Sequence, residues 1–273
     1  DGKALFGDAG KYGFLTIVST MSWGLGYFGM PQVLLRFMAI RKPSEIKYSR
    51  RIATVWCAIS LFAAVAIGLI GRVVFPTSLT TAAGAESIFI LMSTSFLPSV
   101  IAGFAMAGIL AATISSSDSY LLISASAISK NVFQGIIKKN ATDKEVMNVS
   151  RIVLLTVALI GIVIALDKDS IIFNVVSFAW AGFGATFGPL MLFSLFWKRI
   201  TRTGAIAGMI SGGSMVFIWK LLIRPMGGVF GIYELLPAFI VSCIFIVMMS
   251  LMTQEPSYDI LEEFEKAKVN VDL

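Results

Sequence analysis

Ser115, Ser116, Ser117, Asp118 and Ser119 sit together inside GILAATISSSDSYLLISASAI (108–128), a stretch otherwise apolar enough and long enough to cross a bilayer. A hydroxyl cluster with an ionisable carboxyl is costly at that depth, so such groups face a cavity or an ion path rather than lipid. On a helix, Ala112, Ser115, Ser116 and Ser119 recur at i, i+3, i+4 and i+7 and share one face. A sodium ion is hard and takes oxygen ligands. The hydroxyls of Ser115 and Ser116, with the spare lone pair of the Ala112 carbonyl, offer such oxygens from one turn, the rest coming from another helix. The competing reading has each serine bonding back to its own helix or gluing it to a neighbour. Any single serine fits that reading better; the cluster with Asp118 fits the ion. Asp118 itself has four readings: completing a second cation site, relaying a proton, pairing with a basic residue from another segment, or pointing outward as a cap.

A second group lies in SWGLGYFGMP (22–31), where Gly24, Gly26, Gly29 and Pro31 interrupt an apolar span over about 12–39. Glycine lowers helicity and proline removes a backbone donor. An unwound helix at membrane depth is tolerated where it is buried in protein or lines a cavity, and secondary transporters hold substrate at such breaks. Close packing through small residues with a proline kink explains the same string equally well. Its GxGxxG spacing is not a nucleotide fingerprint, because no strand precedes it. The same chemistry of weakness recurs in FAWAGFGATFGPLMLFSLFWKR (178–199), where Gly182, Gly184, Gly188 and Pro189 predict a kinked helix, either a gating hinge or a static bend. Trp180 and Trp197 read as interfacial anchors.

The elements that must position these residues follow from composition. The chain is 57% hydrophobic and 14% charged, with mean hydropathy +0.85, the profile of an all-α polytopic membrane protein rather than a soluble domain. Crossing a ~30 Å hydrocarbon core takes about 20 residues. Stretches at 12–39, 51–75, 98–130, 150–166, 171–197, 202–222 and 232–254 qualify, giving a transmembrane domain over 1–254 with about seven spans and a charged tail over 255–273. A β-barrel would show short alternating segments instead. Residues 76–97 form a long connection with a short apolar piece at 86–96, a lid or an interfacial helix. Pro98 reads as a first-turn residue of the third span.

The net charge of +6 is spread along the chain and is no nucleic-acid footprint. Basic residues crowd the loops after the first, third and fifth spans, while Lys168 between Asp167 and Asp169, and Lys220 with Arg224, mark poorer loops. The positive-inside rule then puts the C-terminal tail in the cytoplasm. Arg72 reads as snorkelling to the interface. Cys57 and Cys243 fall within apolar spans and read as buried, inert thiols. The chain opens on Asp1 rather than Met, which suggests an N-terminal portion beyond it. With no histidine in the chain, Ser–His triads and His-ligated zinc or haem are excluded, and no Walker loop occurs. An enzyme is not expected.

Read together, WGLGYFG-x-P followed by RFMA (23–39), GILAA-x-x-SS (108–116), AWAGFGA-x-FGP (179–189) and RITRTGAIAGM (199–209) resemble the sodium:solute symporter family, the sodium/proline symporters within it most closely. The resemblance covers nearly the whole chain. It implies a leucine-transporter-type fold of two inverted repeats, of which this chain holds the second repeat and two extra helices, the N-terminal helices of the same protein being missing. It implies sodium binding at Ala112, Ser115 and Ser116, proline binding at Trp23, Tyr27 and Pro31, and gating at Gly184, Gly188 and Pro189. Some relatives bind a second sodium one turn along, where Asp118 and Ser119 lie. Where these symporters typically read Gln-Pro-His, this chain has Met30-Pro31-Gln32, and Ser116 stands where Thr is frequent. The implied function is sodium-coupled uptake of a small solute, L-proline first, by alternating access across the plasma membrane. The alternatives are another amino acid, a monocarboxylate, pantothenate or a sugar as solute, or a transporter-like sensor domain.

Overall fold

A computed structural model of the chain describes residues 13–76, 82–166 and 172–269. Among these residues the secondary structure is helical, with no strand. The expected loop at Asp167, Lys168 and Asp169, the opening Asp1 and part of the 76–97 connection lie outside the described residues. Among the described residues, six helical stretches are long and apolar enough to cross a membrane: Pro43–Val74, Ser99–Ile137, Asp143–Ala165, Ile172–Phe196, Arg202–Met226 and Leu235–Met252. The stretch read as a further span, 12–39, is broken into short pieces.

The chain forms two compact units, one of residues up to Thr54 and from Ile172 onward, the other Val55–Ile171. Helix α4 (Ile46–Val74) begins in the first and continues into the second.

In the first unit the broken stretch runs as α1 (Phe14–Met21), α2 (Trp23–Gly26), a 3-10 turn (Tyr27–Gly29) and α3 (Pro31–Met38). It packs on α9 (Ile172–Phe196), which is itself packed against α10 (Arg202–Ile218) and α11 (Leu235–Met252). The core joins Ala181 and Ala185 of α9, Val216 of α10, and Leu235, Ala238 and Phe239 of α11, with Tyr233 just before it. Small residues allow α10 and α11 to approach closely. A methyl added to Gly204 or Gly208 would run into Ser250 or Ile246, and the Ser242 hydroxyl donates to the Gly208 carbonyl at 2.9 Å. Thr201 caps α10 by accepting from the Gly204 amide at 3.2 Å. The charged tail carries α12 (Tyr258–Val269), and the Arg199 guanidinium meets Glu255 ahead of it at 3.4 Å.

The second unit holds α5 (Ala82–Glu86), α6 (Ile88–Phe96), α7 (Ser99–Ser126) and α8 (Asp143–Ala165). Pro98 sits one position before the first turn of α7, as its N-cap, not within it. α7 runs on as an eleven-residue π-helix, Ala127–Ile137, well past the expected end near 130. Buried Ser129 of that segment accepts from the Ser150 hydroxyl at 2.7 Å, pinning it to α8. Thr142 and Glu145 form a reciprocal capping box at the start of α8. Cys57 lies exposed on α4 and Cys243 is half-buried, so the expectation of two buried thiols is corrected for Cys57.

Candidate functional site

The break in the first stretch has a local cause. A residue before proline is pushed out of the helical region, and Met30 accordingly adopts φ −77°, ψ 119° between the 3-10 turn and α3. Pro31 then starts α3, where its missing N–H costs nothing. The chain at Tyr27–Met30 thus leaves the regular α-helical hydrogen-bond pattern, with Gly29 and Met30 covered and Tyr27 and Phe28 exposed.

What covers them is α9. A methyl built on Gly29 would lie 2.7 Å from the amide nitrogen of Gly188 and 3.0 Å from the Cα of Gly184. One built on Gly184 would lie 2.7 Å from the Cα of Gly26, and one on Gly188 would lie 2.8 Å from the Phe239 ring. The glycines expected to hinge α9 are therefore the surface on which the broken stretch rests. α9 passes through Pro189 as one uninterrupted helix with that residue buried. Gly182, by contrast, has open space at its missing Cβ.

Aromatic rings finish the same face. Trp23 is stacked against Trp180, Phe173 and Tyr233, with centroids 5.7, 5.3 and 5.6 Å away. Tyr27 meets Trp180 edge-on at 4.7 Å and keeps 56% of its surface exposed. The Trp180 indole N–H donates to the Trp23 carbonyl at 3.0 Å. The Tyr233 hydroxyl donates to the Ser177 carbonyl at 2.5 Å, and its amide donates to the Ser19 hydroxyl at 2.7 Å. Of Trp23, Tyr27 and Pro31, the first two, on α2 and the 3-10 turn, both meet Trp180, while Pro31 opens α3 beyond the break. Trp180, read as an interfacial anchor, is half-buried and packs against Trp23 and Tyr27. Tyr233 escaped sequence reasoning, its one signal being a hydroxyl-bearing ring just ahead of an apolar span.

In the second unit, Ala112, Ser115, Ser116, Asp118 and Ser119 occur in mid-α7, all exposed. The Ser119 hydroxyl donates back to the Ser115 carbonyl at 3.1 Å, as does that of Thr113 to Ile109 at 2.9 Å. The Ala112 carbonyl belongs to an unbroken stretch of helix. Ser115 and Ser116 lie one residue apart on the outward surface, and Asp118 forms no ion pair among the described residues. All of these oxygen atoms belong to one exposed helix.

Comparison with known proteins bears on the same segments. The model of the sodium:solute symporter family matches residues 9–212. A sodium/proline symporter of Staphylococcus aureus is 38% identical over 261 residues, covering 93% of this chain and 51% of the relative. Those of strains USA300 and JH9 match with the same identity and coverage. The chain therefore spans about half the length of the curated relatives it matches. No solved structure matches. An all-helical chain with six membrane-capable helices, matched by the family model across both the broken stretch and the serine-bearing helix, is a multi-pass membrane protein and belongs to the sodium:solute symporter family.

Proposed function

We propose that this chain is the C-terminal part of a sodium-coupled symporter that takes up a small solute, L-proline first, across the plasma membrane by alternating access. Three lines support the reading: the family, relatives at 38% identity named sodium/proline symporters, and the break at Met30–Pro31 beside Trp23 and Tyr27. The break carries it. Backbone groups released from helical pairing can receive the carboxylate and amine of an amino acid while the aromatic rings cover its apolar part.

In this reading sodium is a co-transported substrate held by Ala112, Ser115 and Ser116, with Asp118 and Ser119 the candidates for a second ion. Ligands from helices upstream of this chain complete the site. Gly184, Gly188 and Pro189 mark the gating contact. Residues 1–254 form the transmembrane domain and 255–273 a cytoplasmic tail. An inward potential of ~100 mV contributes about 2.3 kcal/mol per sodium, and a tenfold gradient about 1.4 kcal/mol more. One ion can thus sustain a solute gradient of a few hundredfold.

The test is tracer uptake by the full-length protein in proteoliposomes with an imposed sodium gradient. Proline accumulation that collapses when choline replaces sodium is the expected result. Sodium-dependent uptake of a different solute from a panel would replace proline, and sodium-independent uptake would overturn the coupling.

A further inference from the structure

A groove of about 310 Å³ lies within the first unit between α9 and α10, and its lining is almost wholly apolar. Its space comes from residues without bulk. Gly182 has nothing within 4 Å of its missing Cβ, and a methyl on Gly213 would meet only the Thr186 hydroxyl, at 3.1 Å. Aromatic rings line the rest: Phe178 meets Phe217 edge-on at 5.2 Å, and Phe183 stacks with Phe187 at 6.3 Å. Phe183 and Phe217 remain 43% and 54% exposed. An apolar cavity of ~150 Å³ already takes a benzene-sized guest, so this groove has room for a stretch of hydrocarbon chain.

One end of the groove is charged. Gly213, Phe217 and Lys220 recur at i, i+4 and i+7 along α10 and the π-helical turn Trp219–Ile223 that continues it, which places them on one side. The Lys220 ammonium lies 4.2 Å over the Phe178 ring and its side chain is 31% exposed. Lys220 and Arg224 face a single carboxylate, that of buried Glu234, at 3.6 and 2.7 Å, so one positive charge is in excess here. In a membrane span a lysine extends its ammonium toward headgroup level, and basic residues between spans attract anionic headgroups. An apolar trough with a cation at one end matches an amphiphile with an anionic head. From this juxtaposition we infer that the groove between Phe178, Gly182 and Phe217 holds an acyl chain of an anionic phospholipid, with the lipid phosphate at Lys220. A zwitterionic lipid would fill the same trough and leave the excess charge unmet. The inference requires only that the chain lies in a membrane, and is independent of the solute and of the ion.

The site is tested by photo-cross-linking. The full-length protein in maltoside detergent is irradiated with phosphatidylglycerol carrying a diazirine in one acyl chain, and adducts are mapped by peptide mass spectrometry. Adducts are expected within 178–187 and 213–217. Unlabelled phosphatidylglycerol should compete about fivefold better than phosphatidylcholine, the scale of one basic residue at an anionic lipid surface. Glycerol phosphate, which has the head chemistry and no tail, should not compete. Gly182→Leu fills the groove at a position with open space and should abolish these adducts. Lys220→Gln should keep the adducts and erase the preference for phosphatidylglycerol. Gly182→Leu carries the test if loss of Lys220 beside Glu234 impairs folding. Absence of adducts in the unmodified protein overturns the site and gives the groove to a protein segment instead. Adducts that survive Gly182→Leu overturn the groove as their source. Equal competition by the two lipids, a preference that survives Lys220→Gln, or competition by glycerol phosphate each overturns the anionic phospholipid as occupant.

Discussion

The indole nitrogen of Trp180 donates a hydrogen bond to the main-chain carbonyl of Trp23 at 3.0 Å, joining residues 157 positions apart. The bond fixes the middle of α9 to the start of the broken stretch, and the same ring meets Tyr27 edge-on. Trp180→Phe keeps most of the ring surface and removes the donor. A neutral hydrogen bond is worth about 1 kcal/mol, so the apparent KM for the solute should rise about fivefold with little change in maximal rate. Initial-rate uptake in proteoliposomes measures both, and an unaltered KM would deny Trp180 a part in shaping the solute site.

Gly29→Ala should destabilise the protein. Its methyl would lie 2.7 Å from the Gly188 amide nitrogen, a main-chain atom that cannot swing aside. Overpacking of this kind costs about 1–3 kcal/mol. Gly24→Ala, five residues earlier and open within 4 Å, is the matched control. Thermal unfolding in detergent should show a lowered Tm for the first and none for the second. Equal Tm values would mean that the two segments part more easily than their contact indicates.

Ser116→Ala should raise the sodium concentration needed for half-maximal uptake about tenfold, the scale of a lost contact to a charged group. Ser119→Ala removes a hydroxyl already satisfied by the Ser115 carbonyl, and its effect should be smaller. Sodium titration of uptake ranks the two. The reverse order would move the ion toward Asp118 and Ser119, and identical titrations for both variants and the parent would remove the ion from α7.

Ser129→Ala leaves the Ser150 hydroxyl without its buried acceptor. A loss of about 1 kcal/mol in stability is expected, read as a lower Tm, with the sodium titration unchanged. A shift in sodium dependence at constant Tm would instead tie the π-helical segment to transport.

Much of this architecture was legible because its causes are local. Pro31 forces Met30 out of the helical region wherever the segment is placed, so the interruption could be read from two adjacent residues. The long apolar runs at 51–75, 150–166 and 232–254 needed only length and composition to become helices. The contacts around the break were not legible in the same way. Gly26 and Gly29 meet Gly184 and Gly188 across more than 150 residues, and nothing in either string names its partner. Trp180 looked like an anchor because an isolated indole near a span end has that default role, whereas its hydrogen bond to Trp23 depends on the tertiary arrangement. Spacing could put the serines of α7 on one helix, but it says nothing of what meets them, and in the second unit they stand exposed. Glu234 drew no notice because a carboxyl at a span boundary ordinarily meets water, whereas here it is buried and paired with Arg224 at 2.7 Å.

The seam between the broken stretch and α9 is made by main chain touching main chain at Gly26, Gly29, Gly184 and Gly188. Apart from the Trp180 ring, which lies against Gly26, this contact stores no identity in its side chains. In the proposed reading, the rings at Trp23 and Tyr27 could be exchanged to suit a different solute while the glycine contact behind them stayed intact, which would put selectivity and machinery at separate addresses in the same few turns.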